Sequence, residues 1–269
     1  MREPGLALIT GASAGIGAAL AVEFARHGHS LVLVARNEER LRALAQGLRE
    51  EHGVRIEVVS QDLGEPGSAR LLQAALLERH IEPSILVNNA GVGAPGAFEG
   101  LEVEDLEQMV RLNVEALTSL TSLLLPPMLR EGYGRILNVS SVAAFQPVPA
   151  MAVYAATKAY VLSMSEALGE ELQGSGVRVA CLCPGLTDTE MATDMAELAR
   201  SGGEEVPRLV MSTPTVVARE GYDACMNGEA IRVPGPVNQV ATLWSQTQPR
   251  WLLRTLGGVF GRQLLRRRP

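Results

Sequence analysis

The chain has 269 residues, enough for one α/β domain or two small ones. Hydrophobic residues make up 46% and charged residues 20%, so a large core can form, and with 4% aromatics that core is aliphatic. A net charge of −6 gives no electrostatic reason to expect a nucleic acid, and three cysteines are too few for a disulfide framework.

Taken in chain order, short aliphatic runs alternate with amphipathic stretches. Strands are predicted at Leu6–Ile9, Leu31–Val34, Ile56–Val59, Ile85–Val87, Ile136–Val139 and Val177–Leu182. Between them, helical patterns cover Ala18–His27, Glu38–Glu51, Ser68–Arg79, Val103–Leu125 and Val153–Leu172. Near-continuous apolar strands alternating with helices predict a doubly wound, predominantly parallel α/β sheet with helices on both faces, a Rossmann-type fold. No repeat or linker divides the chain, so residues 1–269 read as a single catalytic domain. After Pro184 the pattern loosens, and residues 187–211, polar and bearing Gly202 and Gly203, are expected to form a substrate lid. A helix around Thr215–Met226 and a short strand at Ala230–Val233 follow.

The first strand runs straight into Gly11-Ala12-Ser13-Ala14-Gly15-Ile16-Gly17. Glycines there let the chain turn sharply, so that backbone N–H groups and a helix N-terminus meet a pyrophosphate. The spacing departs from Gly-x-Gly-x-x-Gly, and a glycine-rich turn alone is weak evidence; its place after the first strand points to dinucleotide binding. At the end of the second strand, Ala35 and Arg36 stand where NAD enzymes carry a ribose-binding carboxylate. A guanidinium there, with Arg40 one turn on, favours the 2′-phosphate of NADP(H); the bland alternative is a solvated helix start.

Tyr154 and Lys158 lie four residues apart on a predicted helix and so share one face. Free tyrosine has a pKa near ~10, and a nearby ammonium is expected to favour phenolate for acid–base work. Ser141 closes the strand Ile136–Ser140, where open α/β sheets bind ligands, and Ser140 is expected to face the sheet. Cys181 and Cys183 alternate in an apolar run and read as two thiols on one face of a buried strand. No histidine cluster accompanies them, so no metal site is expected.

Each feature alone is unspecific, but they occur in order: the Thr10–Gly17 turn, Asn88-Asn89-Ala90-Gly91, Asn113, Ser141, Tyr154 with Lys158, and Pro184-Gly185. In that order the chain resembles the short-chain dehydrogenase/reductase family over roughly residues 5–235. The resemblance implies an NADP-dependent oxidoreductase with Asn113, Ser141, Tyr154 and Lys158 as its catalytic set. It further implies a cofactor site built from Gly11, Ser13, Ala14, Gly15, Ile16, Gly17, Arg36, Asp62, Leu63, Asn89, Ala90, Gly91, Tyr154, Lys158, Pro184, Gly185, Thr187 and Thr189. In that assignment Asp62 holds the adenine, Asn88 to Gly91 line the cofactor and brace the sheet, and Asn113 anchors a water next to Lys158. Thr187 departs from the aliphatic residue common in the family. Ser141 lies thirteen residues before Tyr154, the family's interval, and is preferred over Ser140.

Val92, Ala143, Phe145, Val148, Pro149, Ala150 and Met151 are expected around the reacting carbon, a lining suited to a lipophilic ketone, aldehyde or alcohol. A catalytically inactive NADP(H)-binding sensor of the same fold is the alternative. The family resemblance implies a homodimer or homotetramer, paired through helices near Asn113–Leu125 and Val153–Leu172, where Ala155, Ala156 and Ala159 permit close approach. No apolar run reaches the ~18 residues of a membrane span and no leader pattern is present, so a soluble, cytoplasmic protein is expected. The tail 249–269 reads as an amphipathic segment docked beside the substrate cleft, with contact to an anionic membrane as the lesser alternative.

Overall fold

The computed structural model describes residues 4–189 and 211–255. The expected lid therefore lies outside the described residues except at its two ends, and of the tail only 249–255 are described. Seven strands form one parallel sheet in the order β3-β2-β1-β4-β5-β6-β7. They are β1 (Leu6–Thr10), β2 (Ser30–Ala35), β3 (Ile56–Ser60), β4 (Ile85–Asn88), β5 (Gly134–Val139), β6 (Val177–Leu182) and β7 (Ile231–Arg232).

The apolar runs are nearly continuous because both faces of the sheet are covered. Ala7, Ile9, Leu31 and Leu33 point into one core, closed by α1 (Gly15–Arg26), α2 (Glu38–His52) and α7 (Pro214–Asn227). Leu8, Val32, Val34 and Leu86 point into the other, against α3 (Ser68–Glu78) and α5 (Leu117–Arg130). α6 (Ala152–Glu171) covers β6, where Leu162 meets Cys181 and Cys183. Both thiols are buried and unpaired, 3.8 Å apart on one face of the strand, as their alternation predicts.

The predicted Val103–Leu125 helix is three pieces: α4 (Val103–Val110), a π-helical turn (Arg111–Ala116) and α5. Pro126 and Pro127 do not end α5, although each removes an N–H from the helical ladder. Leu124 and Met128, on either side of the pair, are buried against the sheet, and that packing outweighs local propensity. α1 begins at Gly15, earlier than predicted, because the glycine turn and the helix share Gly15 and Gly17. A last helix, α8 (Pro236–Thr247), has no counterpart among the predicted elements.

Strand order reverses between β1 and β4, and a polar ladder crosses the sheet beside that point. Asn88 Nδ2 donates to Thr121 Oγ1 on α5 at 3.0 Å and to Asn138 Oδ1 on β5 at 2.9 Å. Asn138 Nδ2 in turn donates to Ser165 Oγ on α6 at 2.9 Å. Asn88 thus braces the sheet, as expected, but it is buried below the cleft and does not line it.

Candidate active site

A cleft of about 740 Å³ opens at the carboxyl ends of β1, β2, β4, β5 and β6, the place where open α/β sheets bind ligands. Every residue expected to hold the cofactor lines it, from Gly11 to Gly17 at one wall to Thr187 and Thr189 at the other.

The glycine turn is fixed from below. Thr10 Oγ1 donates to Val87 O at 3.2 Å and accepts from Asn89 N and Ala90 N, both at 3.0 Å. Asn89 Nδ2 donates to Thr10 O at 2.9 Å, locking the β1 and β4 ends together. Gly11 and Gly15 adopt φ of +65° and +55°, conformations that side chains disfavour. A Cβ on Gly17 would overlap the Gly11 carbonyl oxygen. No side chain caps the N-terminus of α1 and no acidic residue lies in its first turn. Its backbone N–H groups therefore face the cleft without an internal anion, which suits a phosphate group.

At the end of β2, Arg36 and Arg40 both line the cleft. Arg36 Nη1 lies 3.5 Å from Asp62 Oδ2 with its side chain 64% exposed, so this ion pair is weak and readily exchanged for another anion. Asp62 is further held by Gly64, whose N–H donates to Oδ1 at 2.8 Å. Leu63 sits beside it on the cleft wall. Gln61, which the sequence reading passed over, also lines this end and is tied to Ala35 and Ser68.

At the other end, Ser141 caps a 3₁₀ turn (Val142–Phe145), its hydroxyl accepting from Ala143 N at 3.1 Å. The same hydroxyl lies close enough to Tyr154 to favour its ionised form. Ser140 also lines the cleft, and its hydroxyl donates to Lys158 O on α6 at 2.7 Å, so it reaches the helix rather than the sheet. Lys158 is buried, and Nζ donates to Val139 O at 2.9 Å while lying 5.7 Å from the centre of the Tyr154 ring. Burial lowers the Lys158 pKa from 10.5 to about 8, against a smaller opposing pull from Cys181 and Cys183. The expected lowering at Tyr154 is not found. Burial pushes the phenol up, and the Ser141 hydroxyl offsets part of that. The phenol is thereby held protonated, as a proton donor must be.

Asn113 does not reach the cleft. It is buried in the π-helical turn, where Oδ1 accepts from Val92 N at 2.9 Å and Nδ2 donates to Val92 O at 2.9 Å and to Thr157 Oγ1 at 3.1 Å. It pins the strand-end loop to α6, one residue from Lys158. Gly91 fits between: a Cβ there would sit 3.1 Å from Asn113 Oδ1 and 3.3 Å from Lys158 Nζ. Gly93, not singled out in the sequence, has a similar duty, since its Cβ would lie 3.2 Å from Tyr154 Cδ2.

Of the expected substrate lining, Val92, Ala143, Val148 and Met151 are in place, joined by Val142, Gln146 and Leu186. Phe145 packs instead against the Leu162–Cys181–Cys183 cluster, and Pro149 and Ala150 are not on the wall. At the far wall of the cleft, Thr187 bridges to Ser212, and a Cβ on Gly15 would sit 3.1 Å from Thr189 Cγ2. Among the described residues no cluster of metal-ligating side chains occurs, and no helix is long and apolar enough to cross a membrane.

A family model for short chain dehydrogenases matches residues 5–199. An uncharacterized oxidoreductase of Staphylococcus epidermidis is 33% identical over 208 residues, 77% of this chain and 89% of that protein. The bulky-bulky ketone specific alcohol dehydrogenase of Comamonas testosteroni superposes with a TM-score of 0.77 at 33% identity, covering 96% of this chain and 94% of its own. A short-chain dehydrogenase of Sphingobium yanoikuyae, solved in complex with NADPH, gives a TM-score of 0.77 at 36% identity over 95% of each chain.

Proposed function

The chain belongs to the short-chain dehydrogenase family of oxidoreductases, and we propose that it interconverts a lipophilic ketone or aldehyde and its alcohol with NADP(H). The observation that carries this is one continuous cleft, with an uncapped helix N-terminus and the exposed Arg36 at one end and Ser141, Tyr154 and Lys158 together at the other.

When bound, a reduced nicotinamide supplies the hydride; the roles that follow belong to the chain's own residues. The backbone of Ser13 to Gly17 receives the pyrophosphate, and Arg36 exchanges Asp62 for the 2′-phosphate. Ser141 donates to the carbonyl oxygen and orients it toward Tyr154. Tyr154 then delivers its phenolic proton to that oxygen as charge develops there. Lys158, held by Val139 O, reaches the ribose and sets the charge near the phenol. A π-turn breaks the regular i→i−4 ladder, and this supports a role for Asn113 in seating a water beside Lys158. Asn113 is thus a positioning residue. Val92, Val142, Ala143, Val148 and Met151 supply the apolar lining. A Comamonas relative specific for bulky ketones supports a lipophilic substrate, and the Sphingobium neighbour's NADPH supports the cofactor. The inactive-sensor alternative gains no support, since the proton-transfer groups stand together in the cleft.

The test is NADPH oxidation by the purified chain across a panel of apolar and charged carbonyls. Turnover confined to charged carbonyls overturns the substrate class. For the cofactor, wild type is expected to bind NADPH more tightly than NADH, and Arg36→Ala to lose roughly tenfold toward NADPH alone, the scale of one charge-assisted hydrogen bond. Equal losses toward both cofactors would remove Arg36 from the phosphate site.

The unbroken sheet supports a single catalytic domain, and the unpaired cysteines fit a cytoplasmic setting. A homodimer or homotetramer is favoured by a groove of about 360 Å³ between the α4 end and α6, lined by Val110, Val114, Ala152, Val153, Ala156 and Tyr160. Ala155 is buried within its own chain and takes no part. Light scattering at micromolar concentration is expected to give twice or four times the chain mass, and a monomer refutes the assembly.

A further inference from the structure

Helix α8 is built inside out. Its inward face is polar: Thr242 and Ser245 are buried, and Asn238 lies against Gly185 and donates to Pro234 O at 2.9 Å. Its outward face is apolar, with Val237, Val240 and Leu243 exposed at 67%, 68% and 64% and Trp244 at 48%. One turn beyond, within the helical residues 250–255, Trp251 is also exposed while Leu253 is buried. An ordinary surface helix hides its apolar stripe in the protein. Here the stripe faces away from it, and a contiguous apolar surface of this kind calls for a partner.

The charge around the stripe decides which partner. Residues 236–269 contain six arginines and no Asp or Glu, in a chain whose net charge is −6. Arg250 and Arg254 flank Trp251 and are exposed. Both tryptophans of the chain, Trp244 and Trp251, are exposed within this segment. A second copy of the chain offers an acidic body, but its apolar groove between the α4 end and α6 is the one already assigned to assembly. An anionic bilayer offers both, with headgroups for the arginines and an acyl boundary for aliphatic side chains and amphipathic indole rings.

We propose that α8 and the start of the following helix form a membrane-surface docking site, which rests the chain on anionic lipid without spanning it. α8 packs on the 3₁₀ turn Val142–Phe145 that follows Ser141, so docking sets the bilayer next to the substrate end of the cleft. The docking surface stands independently of the reaction assigned above.

Because the tryptophans occur nowhere else, their emission reports on residues 244–251 alone. The full chain is mixed with phosphatidylcholine vesicles, with and without phosphatidylglycerol, and followed by emission and by co-sedimentation. The expected result is a blue shift and pelleting with the anionic vesicles, both weakened by salt. Val240→Glu with Leu243→Glu should lose both signals, at an unchanged melting temperature and unchanged turnover of a water-soluble carbonyl. Quenching of wild-type emission by brominated acyl chains is expected as well, and needs no variant. Absence of pelleting and quenching in the wild type overturns the proposal. So does vesicle binding that survives the double substitution, or a change in oligomer mass caused by it, which marks the stripe as a contact between copies.

Discussion

Tyr154→Phe is expected to lower kcat by about 10²–10⁴-fold, the usual share of a positioned general acid, with the NADPH dissociation constant nearly unchanged. The substitution removes one oxygen and keeps the ring that Gly93 is shaped to admit. What is lost is the proton held on the phenol by burial and steered by the Ser141 hydroxyl. Because burial pushes the Tyr154 pKa up, reduction should persist toward alkaline pH until the phenol ionises, while oxidation, which needs phenolate, should rise with pH. Single-turnover kinetics of the two proteins with saturating NADPH separate chemistry from binding. Retention of more than about a tenth of wild-type kcat would assign the proton to another group.

The sheet was legible because its burial on both sides writes unbroken aliphatic runs such as Leu31–Val34, and the glycine-lined wall of the cleft because glycines follow directly on β1. The places that escaped were those where tertiary contacts override local rules. α5 continues through Pro126 and Pro127 because buried neighbours hold it, and the π-turn at Arg111–Ala116 leaves no mark in hydropathy. α8 was missed since its polar residues turn inward and its apolar ones outward, the reverse of the pattern sought. At the site, residue identities could be read but not their balance of forces. Spacing puts Lys158 one turn from Tyr154 and suggests a lowered phenol pKa, whereas burial of both groups decides the direction. Asn113 was recognisable only as one position in an ordered set; its two bonds to the Val92 backbone are a long-range pairing that spacing does not reveal.

Lys158→Met is expected to damage both steps that Tyr154→Phe separates, lowering kcat and weakening NADPH binding by roughly 10–100-fold. That range corresponds to about 1.5–3 kcal/mol for a hydrogen bond from a charged donor. Methionine keeps the stem's bulk beside Cys181 and Cys183, so the loss reports the ammonium rather than a cavity. One cost remains, since Val139 O loses the donor that satisfies it. The lysine's pKa gives the effect a pH signature. Burial lowers it to about 8 in the folded protein from 10.5, so between these values the folded chain binds fewer protons than the unfolded one. Stability of the cofactor-free enzyme therefore gains from this group as pH rises from about 8 to 10.5, because the cost of burying the charge, fully present at neutral pH, is relieved. NADPH affinity runs the other way: it needs the ammonium and should fall as pH rises through about 8. In Lys158→Met both trends should flatten in that window, read by cofactor titration and by thermal unfolding across pH. An affinity profile that still bends at the same pH in the variant would assign that titration to a different group.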